Sequence, residues 1–306
     1  MGNKDTAGDR EMTEFHADDY GLFPAQSGRI LASHEEGVLN GTSIMPNSPR
    51  KKICMDMLPG EGIALAVHLN QMEGYCVAPK EKLPLLVDEN GVFCVTFASL
   101  LFCPFTGRYR NYYEQLKIEL SAQIHALLPA LESRGEPLRL DGHAHWHMLP
   151  VVFDALMAVI AEEELPVSYI RIPREPIGLL LRHFPAILPF HPINIVKSLL
   201  LYVLAGRNLR RHGAALGRME KKLFLGVLFS GHFDYGKICL ILPDAEREAA
   251  RRGWGLEILT HPGAVYEEED VRELTNRDDL DFLTSPDRMA EAEGLKMLKE
   301  REGSHV

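Results

Sequence analysis

The sequence predicts an α/β protein folded as a single TIM-barrel-like (β/α) domain, and three observations lead there. Helix signals alternate with short apolar runs along most of the chain, the pattern of parallel strands joined by crossover helices. The alternation is dense: βαβαβ fits within roughly sixty residues, and about six or seven βα units suit a closed or nearly closed barrel better than two domains. The chain is also long enough for one large core, with 306 residues, 46% of them apolar and 25% charged.

Glu14 to Ala17 reads as the first strand. Pro24 opens a helix, where its fixed φ suits the first turn, and Gly37 closes it. A strand around Ser43 to Met45, a helix from Ser48 and Pro49 through Leu58, and the strand-like GIALAVHLN follow. Tyr75 to Tyr112 scatters Gly, Pro and aromatics without a period and reads as an insertion or capping segment. From Tyr113 to Ser133, Leu116, Leu120, Ile124, Leu127, Leu128 and Leu131 keep to one helical face, with Gly135 as a C-cap candidate. Leu138 to His143 is then strand, Val151 to Glu164 helix and VSYIRIP strand; LFLGVLF and LEILTHPG are late strands separated by a helix over Asp244 to Arg252. The domain is expected to span 12–295. Residues 1–11 and 296–306 (KMLKEREGSHV) are expected to be flexible, and the acidic run Glu267 to Asp270 to be a solvated loop.

Composition excludes several classes. A net charge of -10 argues against nucleic acid, whose partners carry basic surfaces. Cys54, Cys76, Cys94, Cys103 and Cys239 are odd in number and never in CxxC spacing, so they read as reduced thiols. MGNKDTAGDREM lacks the apolar core of a signal peptide. The most apolar stretch, 177–205, is broken by Arg182, Pro185, Pro189, Pro192 and Lys197, so no membrane span is expected. A cytoplasmic protein is expected, with that stretch as an oligomer contact, in a homodimer, or a lid near the substrate.

In a parallel barrel the chemistry sits at the C-terminal ends of strands. Four such ends carry titratable groups: HADDYG at 16–21, His68 in AVHLN, DGHAHWH at 141–147 and THPG at 260–263. Each has a bland reading alone. An acidic pair can cap a helix, and a lone strand-end His is more often structural. The run Asp141, His143, His145, His147 is harder to dismiss, because burying several imidazoles is costly unless something binds them. Two imidazoles and one carboxylate make a catalytic metal site with open positions, and a second carboxylate beside it can take the proton of the metal-bound water.

HADDYGL, AVHLN, DGHAHWHM with PVVF, RIPREP and THPG, in this order, resemble the YdjC-like carbohydrate deacetylases, the family of the chitooligosaccharide deacetylase. The resemblance covers nearly the whole chain, from about Glu14 to Leu295. It implies a distorted (β/α) barrel that removes the acetyl group from N-acetylated sugars with one divalent metal, Mg²⁺ by resemblance and Zn²⁺ also compatible with the ligand set. It implies Asp19, His68 and His143 as metal ligands, Asp18 as general base and His261 as general acid. Two departures stand out. His16 replaces the family's usual Asn, and the apolar segment 177–205 has no counterpart in shorter members.

Alternation along an extended strand would aim Asp141, His143, His145 and His147 to one side. Same-side residues lie about 6.7 Å apart, so one metal cannot easily take all four. His143 is the chosen ligand. Asp141 would orient an imidazole or the metal water, with His145 and His147 as outer or substrate-contacting groups; His147 equally suits plain packing. Arg174 pairs with Asp18 or braces a strand end. The expected substrate is an acetylated amino sugar or short oligosaccharide; the alternatives are a metal-dependent hydrolase of another bond and a non-catalytic carbohydrate-binding barrel.

Overall fold

The computed structural model describes residues 13–265 and 283–304. Seven strands form one sheet: β1 (Thr13–Tyr20), β2 (Gly41–Ile44), β3 (Ala64–Leu69), β4 (Leu138–Gly142), β5 (Val167–Ile170), β6 (Lys222–Leu225) and β7 (Gly255–Thr260). Their order is β5-β4-β3-β2-β1-β7-β6, and every pairing is parallel. Parallel neighbours require crossovers, supplied by α1 (Pro24–Glu35), α2 (Lys51–Met57), α3 (Phe97–Phe102), α4 (Tyr109–His125), α5 (Leu128–Ser133), α6 (Pro150–Glu162), α7 (Ile177–Arg182), α8 (Pro192–Leu216) and α9 (Tyr235–Arg252), with α10 (Pro286–Gly303) after the last strand.

The sheet curls into a half-barrel, and its side chains prove the curl. Three steps separate β1 from β4, about 14 Å in a flat sheet. Yet an Arg139 guanidinium nitrogen on β4 lies 2.6 Å from both carboxylate oxygens of Glu14 on β1. Lys222 of β6 also pairs with Glu14, and Arg171 reaches Glu257 of β7 at 2.6 Å. Gly41 makes room for this layer: a Cβ there would lie 2.5 Å from Glu14 Oε1 and 2.7 Å from His16 Nδ1.

Of the closed or nearly closed barrel expected, the described residues form an open half-barrel, consistent with a distorted barrel. β5 and β6 form no ladder; Glu220 N–H donates to Ser168 O at 2.9 Å, and a cavity of about 550 Å³ lined by Tyr169, Arg174, Tyr202 and Trp254 lies in the gap. The 113–133 helix breaks at Ala126 and Leu127, ahead of Pro129, into α4 and α5. The helix expected over Asp244 to Arg252 begins nine residues earlier, at Tyr235, because the Asp234 carboxylate accepts the Lys237 N–H and caps it. Residues 296–303 belong to α10, with Leu298 buried. The Tyr75 to Tyr112 segment holds isolated antiparallel bridges and α3, and buries Leu83, Leu86, Phe93 and Leu100. The Glu267 to Asp270 run and residues 1–11 lie outside the described residues.

Candidate metal centre and active site

The C-terminal ends of the strands converge on one cleft of about 570 Å³, lined among others by Asp18, Asp19, His143, His145 and His261. Asp18 and Asp19 are neighbours on β1 and would ordinarily face opposite sides of the sheet. The β1–β2 register shifts between Ala17 and Tyr20, and Asp19 takes a left-handed φ of 69°. That irregularity turns both carboxylates into the site, a recurring use of bulges; Asp is among the residue types that tolerate left-handed φ.

The two carboxylates have different partners. Asp18 accepts from Arg171 at 2.8 and 2.9 Å, one contact to each oxygen. Asp19 Oδ1 lies 2.9 Å from His143 Nδ1 and 3.4 Å from His68 Nε2, and Oδ2 accepts from Arg288 at 3.3 Å. Ligand atoms of Asp19, His68 and His143 all lie within 4.8 Å of one another. The His68 and His143 rings meet edge to face at 5.5 Å.

These residues fit a metal ion on a feature of their own. His68 is fully buried, its Nδ1 is 2.7 Å from Asp141 Oδ1, and its Nε2 makes no well-formed hydrogen bond, with Asp19 Oδ1 3.4 Å away. A buried polar atom left over in this way is costly unless something binds it. The Asp141 contact would fix the tautomer so that the lone pair of Nε2 faces Asp19, as metal-bound imidazoles are usually held. Charge points the same way. Burial opposes protonation of His68, but the carboxylates of Asp18 and Asp141 outweigh it and raise the imidazole to about 10. The cluster favours positive charge at this spot, which a cation would provide.

Below lies a paired layer. Asp141 accepts from Ser43 and pairs with Arg171 at 3.0 Å; burial opposes its ionisation, and Arg171 with His68 overcomes that and lowers its pKa. His16 is held by Glu14 at 2.6 Å and Ser43 at 2.5 Å, so its imidazole belongs to this layer.

The DGHAHWH run is not the extended strand expected of it. β4 ends at Gly142, and His143–Met148 winds into a tight turn with left-handed φ at Ala144 and His145. The four side chains do not share a side by alternation. Gly142 permits the turn: a Cβ there would lie 2.7 Å from His147 Nδ1. His147 Nε2–H donates to the Arg171 carbonyl at 2.9 Å, and burial lowers its imidazole to about 4, which fits packing and support of Arg171. His145 lines the cleft against Phe224 at 5.8 Å, and burial followed by Arg171 lowers it well below the usual range.

A sequence profile of the family described as YdjC-like protein matches residues 14–292. The chain belongs to the YdjC-like family. A carbohydrate deacetylase of Danio rerio is 25% identical over 292 residues, spanning 91% of this chain and 90% of that one. A carbohydrate deacetylase of Enterococcus faecalis is 36% identical over 138 residues, 43% of this chain and 48% of the relative. The crystal structure of a protein named for cellobiose-phosphate cleavage, from Enterococcus faecalis V583, superposes with a TM-score of 0.64 at 20% identity, covering 95% of this chain and 94% of that one. This likeness shows the fold.

Within this YdjC-like site the structure brings Asp18, Asp19, His68, Asp141, His143 and His261 together. Arg174 is the correction: its guanidinium stacks over Tyr202 at 4.2 Å in the gap between β5 and β6, and Arg171 is the arginine that grips Asp18. The available signal was strand alternation, which puts Arg171, the residue just past β5, on the same side as Tyr169, while Pro173 separates Arg174 from it. Sequence reasoning also missed Glu73, 3.3 Å from His143 Nε2, and Arg288 and Glu291 on α10. The Glu291 carboxylate accepts the backbone N–H of His261 at 2.5 Å.

Proposed function

We propose that the protein is a metal-dependent carbohydrate N-deacetylase, hydrolysing the acetamide of an N-acetylated amino sugar or short oligosaccharide to acetate and a free amine. One observation carries the reading: two adjacent carboxylates enter one cleft, Asp18 clasped by an arginine and Asp19 facing two imidazoles. The names of the Danio rerio and Enterococcus faecalis relatives support it.

Asp19, His68 and His143 would hold the divalent ion. When bound, the ion supplies a water of lowered pKa and a Lewis acid for the acetamide carbonyl. Magnesium follows from the family resemblance, while two imidazoles with one carboxylate also suit zinc. Asp18, oriented by Arg171, accepts the proton of the attacking water. Asp141 keeps the His68 ring in place. His261 delivers a proton to the leaving amine. Burial draws its imidazole down to about 4, so it is neutral at pH 7, and the proton it passes to the amine is the one that Asp18 takes from the water.

The test is acetate release from N-acetylglucosamine and its β-linked oligomers, using protein stripped of metal and reloaded with Mg²⁺, Zn²⁺, Mn²⁺ or Co²⁺. Turnover should vanish on stripping and return with at least one ion. No acetate from any acetylated sugar with any ion would contradict the reading and favour a sugar-binding barrel.

A further inference from the structure

Helix α8 carries apolar side chains on both faces: Leu201, Leu204, Ala205 and Leu216 are buried in the core. Its protein-facing side carries Asn194, Ser198 and Asn208, each buried and held by a hydrogen bond to Ser230 O, Glu175 or Met148 O. Its outer side carries Ile193, Val196, Leu199 and Val203, exposed at 57, 60, 53 and 66%. Phe184 and Leu188, in the segment leading into it, extend the same exposed character. Contiguous exposed apolar surface of this kind marks a contact site.

Charge says which contact. The chain as a whole is at -10, yet from Pro176 to Met219 it has no Asp or Glu. Arg182, Lys197, Arg210 and Arg218 are exposed there. An apolar face with basic residues around it, on an acidic protein, complements an anionic lipid surface. No helix of the described residues is long and apolar enough to cross a membrane, so the contact would lie along the interface.

The face also continues into the active site. Ile193, Val196, Leu200 and Leu201 line the cleft that holds Asp18, Asp19 and His261, and Trp146 and Phe97 add aromatic wall. A free oligosaccharide would leave those aliphatic groups without a partner. We propose that the outer face of α7 and α8 rests on an anionic lipid surface, and that the cleft takes an acetamido sugar joined to an apolar tail. The sugar half of this inference rests on the deacetylase reading; the lipid half does not.

Flotation with vesicles of phosphatidylcholine, with and without phosphatidylglycerol, tests the surface, and the methyl and dodecyl glycosides of N-acetylglucosamine test the cleft. The protein should float with phosphatidylglycerol vesicles, and the double variant Leu199→Glu, Val203→Glu should not. The dodecyl glycoside should exceed the methyl glycoside in kcat/KM by about tenfold or more, since burying two methylenes already gives that factor, and Val196→Asp should narrow the ratio. Absence of flotation together with equal kcat/KM overturns the proposal. So does a double variant that turns a dimer into a monomer while leaving flotation unchanged, which would make the face a contact between two copies. Flotation with no acetate from either glycoside would remove the deacetylase reading and keep the lipid surface.

Discussion

Two clusters of acids and imidazoles lie one above the other in this half-barrel, and they differ in what is left over. The lower holds Glu14, His16 and Glu257, whose ligand atoms are as close together as those of Asp19, His68 and His143 above. Below, Arg139 and Lys222 pair with Glu14, Arg171 and Tyr169 with Glu257, and both His16 nitrogens are engaged. Above, His68 Nε2 makes no well-formed hydrogen bond and the cluster opens onto the cleft. Proximity of the right residue types does not distinguish a metal site from a structural charge layer. An unspent donor atom with access does.

The sharpest way to break the comparison is to remove the residue shared by both levels. Arg171→Met would leave Asp18, Asp141 and Glu257 buried without their common cation. Breaking a buried network costs about 3–5 kcal/mol. Urea unfolding should show a loss of that order, and a loss below about 1 kcal/mol would mean the layer does not hold the barrel together.

Next comes the division between the paired carboxylates. Asp18→Asn should slow acetate release by about 10²-fold to 10⁴-fold with metal content intact, whereas Asp19→Asn should lose both. Equal metal loss in the two variants would erase the division. His261→Ala should slow release by about 10²-fold and leave metal binding unchanged, as checked by metal analysis beside kinetics.

Much of this site was legible because strand ends report themselves locally. His68 and His261 each follow a largely apolar run and Asp18 and Asp19 follow a short strand-like one, and a parallel sheet carries such ends to one side. Periodicity says nothing of which distant charge meets which, so Arg171 was missed and Arg174 proposed. It also fails where the backbone leaves its period: Ala144 is not a residue type that announces left-handed φ, and the extended reading of DGHAHWH failed there. The openness of the barrel was hidden for the same reason, since strand count does not reveal whether β5 and β6 pair. Helix α8 escaped because apolar side chains lie on its exposed face as well as its buried one, which blurs the one-sided stripe that marks a helix.

Smaller effects sharpen the contrast. Asp141→Asn should weaken metal binding by about 10- to 100-fold, as loss of an outer partner does, measured by competition with a chelator; unchanged affinity would show that Asp141 does not orient His68. Asp154 on α6 is a control from outside the barrel. Burial raises its pKa, but the Arg207 and His212 hydrogen bonds win and lower it to about 2. Its stabilisation is present above the ordinary Asp value and lost as pH falls toward 2. Asp154→Asn should therefore cost about 1 kcal/mol at pH 7, a modest figure for a partly solvated pair, and flatten stability against pH below 4. An unaltered acid limb would contradict the assignment.

The central claim is that the upper cluster binds metal and the lower one does not. Metal titration of stripped protein, followed calorimetrically, tests it in wild type, His68→Ala and His16→Asn. One ion per chain is expected in wild type and in His16→Asn, and none at comparable affinity in His68→Ala. Full binding by His68→Ala, or its loss in His16→Asn with the fold intact, would contradict the account.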